Sequence, residues 1–191
     1  MAQPTTDDTT FLLALARDGD VDAFSRVMEA EQPRLMGQAL AMCANPHQAQ
    51  DLVQETMIAA WKSLSRFDGS CRFFTWLYVI LLRQHQRSLG WFSRRIPLAT
   101  LEQQAAAERQ EATTAEPADA MEAELLQAMM TALPAKYREV VRLRFHAEAT
   151  EPEIAAALGI PQGTVKSRLH HALEKLRRMK DKMNQLRAAA H

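Results

Sequence analysis

Gln162, Thr164, Lys166, Ser167 and Arg168 stand within one stretch of seven residues and combine an amide, two hydroxyls and two cations. They donate and accept hydrogen bonds at base edges and pair with phosphate, which is the chemistry of reading a duplex. A helix must carry them, and the pattern supplies one: Val165, Leu169, Ala172, Leu173 and Leu176 form an apolar stripe that leaves Lys166, Ser167, Arg168, His170, His171 and Lys175 outside it. Upstream, Thr150-Glu151-Pro152-Glu153 reads as a capping box that starts a short helix, with Ile154, Ala155 and Leu158 inward. Gly159 would end that helix in a left-handed conformation, Ile160 would fill the corner, and Pro161 would prevent continuation. A short helix, a tight turn and a longer basic helix make a helix-turn-helix, whose second helix enters the major groove by its N-terminal side chains.

A second set lies near the middle of the chain. Asn45 as N-cap, Pro46 at the first helical position and Gln48 in capping-box position open a long helix running to about Ser65. Val53, Met57, Ala60, Trp61 and Leu64 form its core-facing stripe, and Asp51, Gln54 and Glu55 share another side as a polar, partly acidic patch free to meet a partner. Arg66-Phe67-Asp68-Gly69-Ser70 reads as a turn. After it, Phe73, Trp76, Leu77, Ile80 and Leu81 carry a strongly apolar helix that ends near Gly90 and is basic toward its end, with Arg83, Arg87, Arg94 and Arg95. Trp76 and Leu77 are expected to face inward.

Bond-making chemistry finds little support. Cys43, His47, Cys71, His85 and the His170-His171 pair could be gathered into a metal site, but Pro46 interrupts the Cys43-His47 spacing and no second spaced pair follows. No nucleophile elbow, phosphate loop or catalytic carboxylate pair is found. The reading is therefore no enzyme, no metal and no cofactor.

The elements that must position these residues are all helical. Phe11 to Ala16 and Val21 to Ala30 read as short helices broken at Asp18-Gly19-Asp20, and Pro33 opens or kinks the next. Four more helices are expected: Met121 to Leu133, Pro134 to Ala147, Thr150 to Leu158, and Gln162 to about Met183. The chain of 191 residues thus reads as all-α, with one helical domain over 7–95, an acidic linker over 96–120 and a second helical domain over 121–183. Lysine plus arginine equals aspartate plus glutamate at 23 each, so no global field draws the protein to nucleic acid. The charge is segregated instead: twelve basic against six acidic side chains from Thr131 onward, and five acidic against one basic over 96–120. Two cysteines without paired spacing, the absence of a signal-peptide pattern and of any apolar run of membrane-spanning length give an expected cytoplasmic location, without membrane insertion.

The combination resembles a known family. ALPAKYREVVRLRFH followed by TEPEIAAALGIPQGTVKSRLHHALEKLRR resembles the C-terminal domain of bacterial sigma factors, with GTVKSRL the most specific stretch. NPHQAQDLVQETMIAAWKSLSRFDGSCRFFTWLYVILLRQ is similar to the other sigma domain of the extracytoplasmic-function (ECF) class, and the two cover nearly all of the chain in the right order. The resemblance implies that Asp51, Gln54 and Glu55 dock on the clamp helices of the largest subunit of core RNA polymerase, whose flap is a further partner. It implies that the loop from Arg66 to Cys71 receives a base flipped from the minus-ten element, with Arg66, Phe67, Asp68, Gly69 and Ser70 in contact and Arg83 and Arg87 on the backbone of promoter DNA. Gln162, Thr164, Lys166, Ser167, Arg168 and His171 would hold the minus-thirty-five element, and the acidic linker would thread the RNA exit path. An anti-sigma factor is a further implied partner. One departure stands out: where similar proteins end the first domain's last helix in Arg-Asn with an Asp a few residues on, this chain has Arg83-Gln84-His85-Gln86-Arg87-Ser88.

Two other readings are weighed against it: a stand-alone helix-turn-helix regulator with a sensing or dimerising N-terminal domain, and a purely protein-binding helical adaptor. Near-zero net charge argues for weak unaided DNA binding, and the Asp51-Gln54-Glu55 patch has no use in a regulator. An adaptor leaves the basic helix unexplained.

Overall fold

The computed structural model describes residues 6–43, 45–95 and 117–189, and within them the side chains of 8–43, 45–88 and 125–185. Every regular element among the described residues is helical, and the chain divides into two compact units, Met1–Ala112 and Thr113–His191. The stretch 96–116, which holds most of the expected acidic linker, lies outside the described residues, as does the extreme N-terminus.

Unit one is built from α1 (Thr6–Arg17), α2 (Val21–Leu40), α3 (Pro46–Ser63) and α4 (Phe73–Arg95), with a 3-10 turn at Leu64–Arg66. Asp20 starts α2 by accepting the amide of Ala23 at 2.9 Å, after Gly19 has turned the chain at φ 100°. Pro33 was expected to open or kink a new helix after Ala30, yet it lies inside α2, which continues from Val21 to Leu40. A proline inside a helix forfeits one backbone hydrogen bond and costs about 3 kcal/mol. Here Val27 and Met28 before it and Leu35 and Ala39 after it are all buried on one stripe, so packing on both sides holds the two halves as one helix. Gly90 likewise sits inside α4 rather than ending it, a position where glycine costs only about 1 kcal/mol against alanine.

Helix α2 packs against α1 and α3, and α3 against α4. On α3 the buried line is Ala49, Leu52, Val53, Thr56 and Ala60, while Met57 and Trp61 are only half-buried. Trp61 stacks at a tilt on Phe24 of α2 at 5.1 Å. Two buried threonines differ in one respect. The hydroxyl of Thr56 donates to the Leu52 carbonyl at 2.7 Å, whereas Thr75 Oγ1 on α4 has no hydrogen-bond partner among the described residues. Since an unsatisfied buried hydroxyl costs about 1–3 kcal/mol and a satisfied one contributes about 1, urea unfolding should find Thr75→Val more stable than the parent and Thr56→Val less stable. Equal shifts in one direction would contradict this assignment.

Unit two is built from α5 (Pro117–Ala132), α6 (Ala135–Phe145), α7 (Glu151–Leu158) and α8 (Gln162–Ala189). Helix α5 starts inside the stretch expected to be linker, because Pro117 stands at its first position, where a proline's missing amide is not needed. Helix α8 continues past Met183 to Ala189. Leu133, Val140, Leu143, Ile154, Val165 and Ala172 close the core, each 1% exposed or less. Among the described residues no helix is long and apolar enough to cross a membrane.

Candidate nucleic-acid interface

The turn that presents α8 forms as its residues dictate. Thr150 Oγ1 accepts the amide of Glu153, and Glu153 Oε2 accepts the amide of Thr150 at 2.8 Å, closing the capping box. Gly159 ends α7 at φ 67°, ψ 38°, and the Ile160 amide reaches back to the Ala155 carbonyl at 3.0 Å. Ahead of the turn, Glu148 also takes a left-handed φ of 53°, held between the fully buried Ala147 and Ala149. Arg144 fixes this corner by donating to the Ala149 carbonyl at 3.0 Å.

Helix α8 buries Val165, Leu169 and Ala172 against α6 and α7. Of the residues expected to read DNA, Gln162, Lys166, Ser167 and His171 are exposed; Thr164 and Arg168 are half-buried, nearer the packed side than the spacing suggested. At 100° per residue Arg168 falls only 60° from the Val165 line, and burial of its stem follows from that. Leu173, expected in the apolar stripe, is 45% exposed for the complementary reason: it lies 80° off that line, past the edge of the core. Gly163 occupies the outward face of the first turn. A Cβ there would meet nothing within 4 Å, so packing does not require glycine and the bare backbone is open to close approach by a partner.

The loop between α3 and α4 has anchored ends and an exposed tip. Phe67 was expected to contact DNA, but its ring is 6% exposed and lies in a cluster with Phe73 and Trp76 at 5.4 and 5.3 Å. An apolar ring beside two others gains more from burial than from water, so Phe67 ties the loop down rather than offering itself. Cys71 is the second buried anchor. Between them Asp68, Gly69 and Ser70 are exposed, and so is Arg66 before them. The Ser70 amide donates to Asp68 Oδ1 at 2.9 Å, and Gly69 takes φ 77°. Hydrogen bonds from Ser70, with a smaller contribution from the charge of Arg17, hold the Asp68 carboxyl below the usual range. The tip is therefore preformed.

Other aromatics of α4 are largely core. Phe74 and Tyr78 are buried and stack at 6.0 Å, with the Arg34 guanidinium 3.8 Å over the Phe74 ring. Leu77 is fully buried as expected, and Trp76 is half-buried at the edge of the loop cluster. Arg83 and Arg87 are exposed one turn apart, with Gln84 half-buried beside them. The side chains of Arg94 and Arg95 lie outside the described residues.

On α3, Asp51, Gln54 and Glu55 are all exposed, opposite the buried line. The structure adds what the charge pattern concealed: Ile58, one turn on and on the same face, is 49% exposed. Ile58 thus extends the polar face by one partly exposed apolar side chain at its C-terminal end. No group of three or more metal-ligating side chains is found among the described residues. Cys43 and Cys71 are not joined in a disulfide, and burial pushes the Cys43 thiol up, away from reactivity.

Residues 27–91 match the family described as Sigma-70 region 2, and residues 123–176 the family described as Sigma-70, region 4. The chain is 30% identical over 181 residues to the ECF RNA polymerase sigma factor SigW of Bacillus subtilis, covering 85% of this chain and 91% of SigW. In three dimensions it is similar to CnrH, solved in complex with the cytosolic domain of CnrY, with a TM-score of 0.61 and 26% identity over 92% of this chain and 99% of that one. The fold is also that of the sigma factor RpoE of Bartonella quintana, solved in complex with the anti-sigma factor NepR, with a TM-score of 0.57 and 20% identity over 84% and 98% of the two chains.

Proposed function

This chain belongs to the ECF class of RNA polymerase sigma factors, and from that premise we propose that it binds core RNA polymerase and directs it to promoters through two separate readers. The observation that carries the reading is the joint presence of an exposed acidic patch on α3 and a preformed loop tip over 68–70 in unit one, and an outward polar face on α8 in unit two. Asp51, Gln54, Glu55 and Ile58 dock on the polymerase. Arg66, Asp68, Gly69 and Ser70 receive the displaced base of the minus-ten element, with Phe67 and Cys71 as anchors and Arg83 and Arg87 on the strand backbone. Gln162, Lys166, Ser167 and His171 address the minus-thirty-five element, with Gly163 allowing the helix close approach and Thr164 and Arg168 at its margin.

The division of labour has a physical basis. Extruding a base costs a few kcal/mol, and a loop already fixed by the Asp68–Ser70 hydrogen bond loses little conformational freedom when the base arrives. Polymerase supplies most of the affinity, which suits a chain of zero net charge. On this reading catalysis belongs to the polymerase, and a role on core RNA polymerase supports a cytoplasmic location. An anti-sigma factor restrains it by covering these same surfaces; the reading is supported by the shared fold with CnrH, solved with the cytosolic domain of CnrY, and with RpoE, solved with the anti-sigma factor NepR.

Mapping transcript start sites after overexpression tests the proposal. New starts should share two conserved blocks upstream, and Lys166→Ala should relax the base preference in the distal block alone, by about 1–3 kcal/mol at the contacted position. New starts with no shared distal block would remove α8 from the reading.

A further inference from the structure

The first turn of α6 reaches the outward face of α8. The ring of Tyr137 lies 6.4 Å from the imidazole of His171, tilted by 56°, and the Lys136 ammonium lies 5.1 Å from the Tyr137 centroid. His170 meets His171 edge-on at 5.6 Å, and His171 Nδ1 is 3.8 Å from the Glu174 carboxylate. Lys136, His170 and His171 are exposed and Tyr137 is half-buried, so the core accounts for only part of this arrangement. Together they make a ridge of cation, ring and imidazole that joins two helices.

The position of the ridge along α8 assigns its ligand. A rise of about 1.5 Å per residue carries the helix roughly 14 Å from Gln162 to His171. The major groove is about 12 Å wide. A helix whose first turn lies among base edges therefore brings His171 to the lip of the groove, where the phosphates run. We propose that Lys136, Tyr137 and His171 form a backbone clamp at the edge of the upstream element. Lys136 pairs with a phosphate, and His171 contacts the same strand rather than a base. Tyr137 is a positioning residue: its ring fixes the imidazole in that direction. The inference rests on α8 being the DNA-reading helix, and it adds α6, for which the sequence pattern named no contact residue.

The test uses the full chain assembled with core RNA polymerase and two duplexes, one carrying an upstream element from a mapped promoter and one with that block scrambled, each titrated over a range of potassium chloride. Lys136→Ala should weaken both duplexes by the same factor, about three- to ten-fold, and reduce the slope of log affinity against log salt by about one. Tyr137→Leu should weaken binding in the parent and add nothing in a His171→Ala background, while Tyr137→Phe, which keeps the ring, should bind as the parent does. An unchanged salt slope for Lys136→Ala, or a Tyr137→Leu loss that is the same with and without His171, would overturn the clamp while leaving α8 as the reader. Failure of the parent to distinguish the two duplexes would overturn both.

Discussion

Reversing charge at Asp51 and Glu55 together, as Asp51→Lys with Glu55→Lys, should lower affinity for core RNA polymerase by at least about 100-fold and silence promoter-directed transcription. The magnitude follows from complementarity. Removing one partner of a charge pair that is desolvated on docking costs about 2–5 kcal/mol, and placing like charges together costs several more; about 1.4 kcal/mol is a factor of ten. Both side chains are exposed on α3, opposite Ala49, Leu52, Val53 and Thr56, so the fold should keep its stability within about 0.5 kcal/mol. That pairing of a large binding loss with an unchanged melting curve separates a docking role from a structural one. Ile58→Ser should also weaken docking at a cost in stability of only about 1 kcal/mol, because the side chain is already 49% exposed before a partner covers it. Core affinity unchanged in the double variant would remove the α3 patch from the interface.

The second large effect is confined to the other unit. Ile154→Ala should destabilise α5 to α8 by about 2–5 kcal/mol, since the side chain is fully buried where α7 meets its neighbours and truncation leaves a cavity. Small domains are stable by only about 5–15 kcal/mol, so much of the margin of unit two would go. Calorimetry of the full chain should show one transition moving down while the other stays in place, because the two units have separate cores. Upstream recognition should fail at temperatures where binding to polymerase through α3 persists. A single transition that moves as a whole would show that the two cores unfold together.

How much of this could be read beforehand depends on which interactions are local. The caps of α7 and α3 are set by residues three apart, so Thr150 with Glu153, Gly159 and Asn45 gave both helix starts and the sharp stop before α8. Glycine at φ 67° and a hydroxyl facing an amide need no knowledge of the rest of the chain. Pro33 misled because its local cost is offset by a stripe extending from Phe24 to Ala39, which only the packing of α2 between its neighbours reveals. Leu173 and Arg168 were exchanged for a similar reason: both sit at the margins of the α8 stripe, and which margin is covered depends on where α6 and α7 lie. Phe67 read as part of a loop and proved to be its anchor, since its ring partners arrive from the following helix. Ile58 follows Gln54 and Glu55 at helical spacing, so its side of α3 was legible in the sequence; the structure adds how far it is exposed. The Lys136–Tyr137–His171 ridge joins residues more than thirty positions apart, and no spacing rule reaches that far.

The most direct measurement is reconstituted transcription on a mapped promoter with purified protein, purified core RNA polymerase, or both. Specific transcripts should appear only when both are present, with the protein alone binding the same DNA weakly. Tight, sequence-specific binding by the protein alone, together with no transcript when core polymerase is added, would contradict the sigma-factor role.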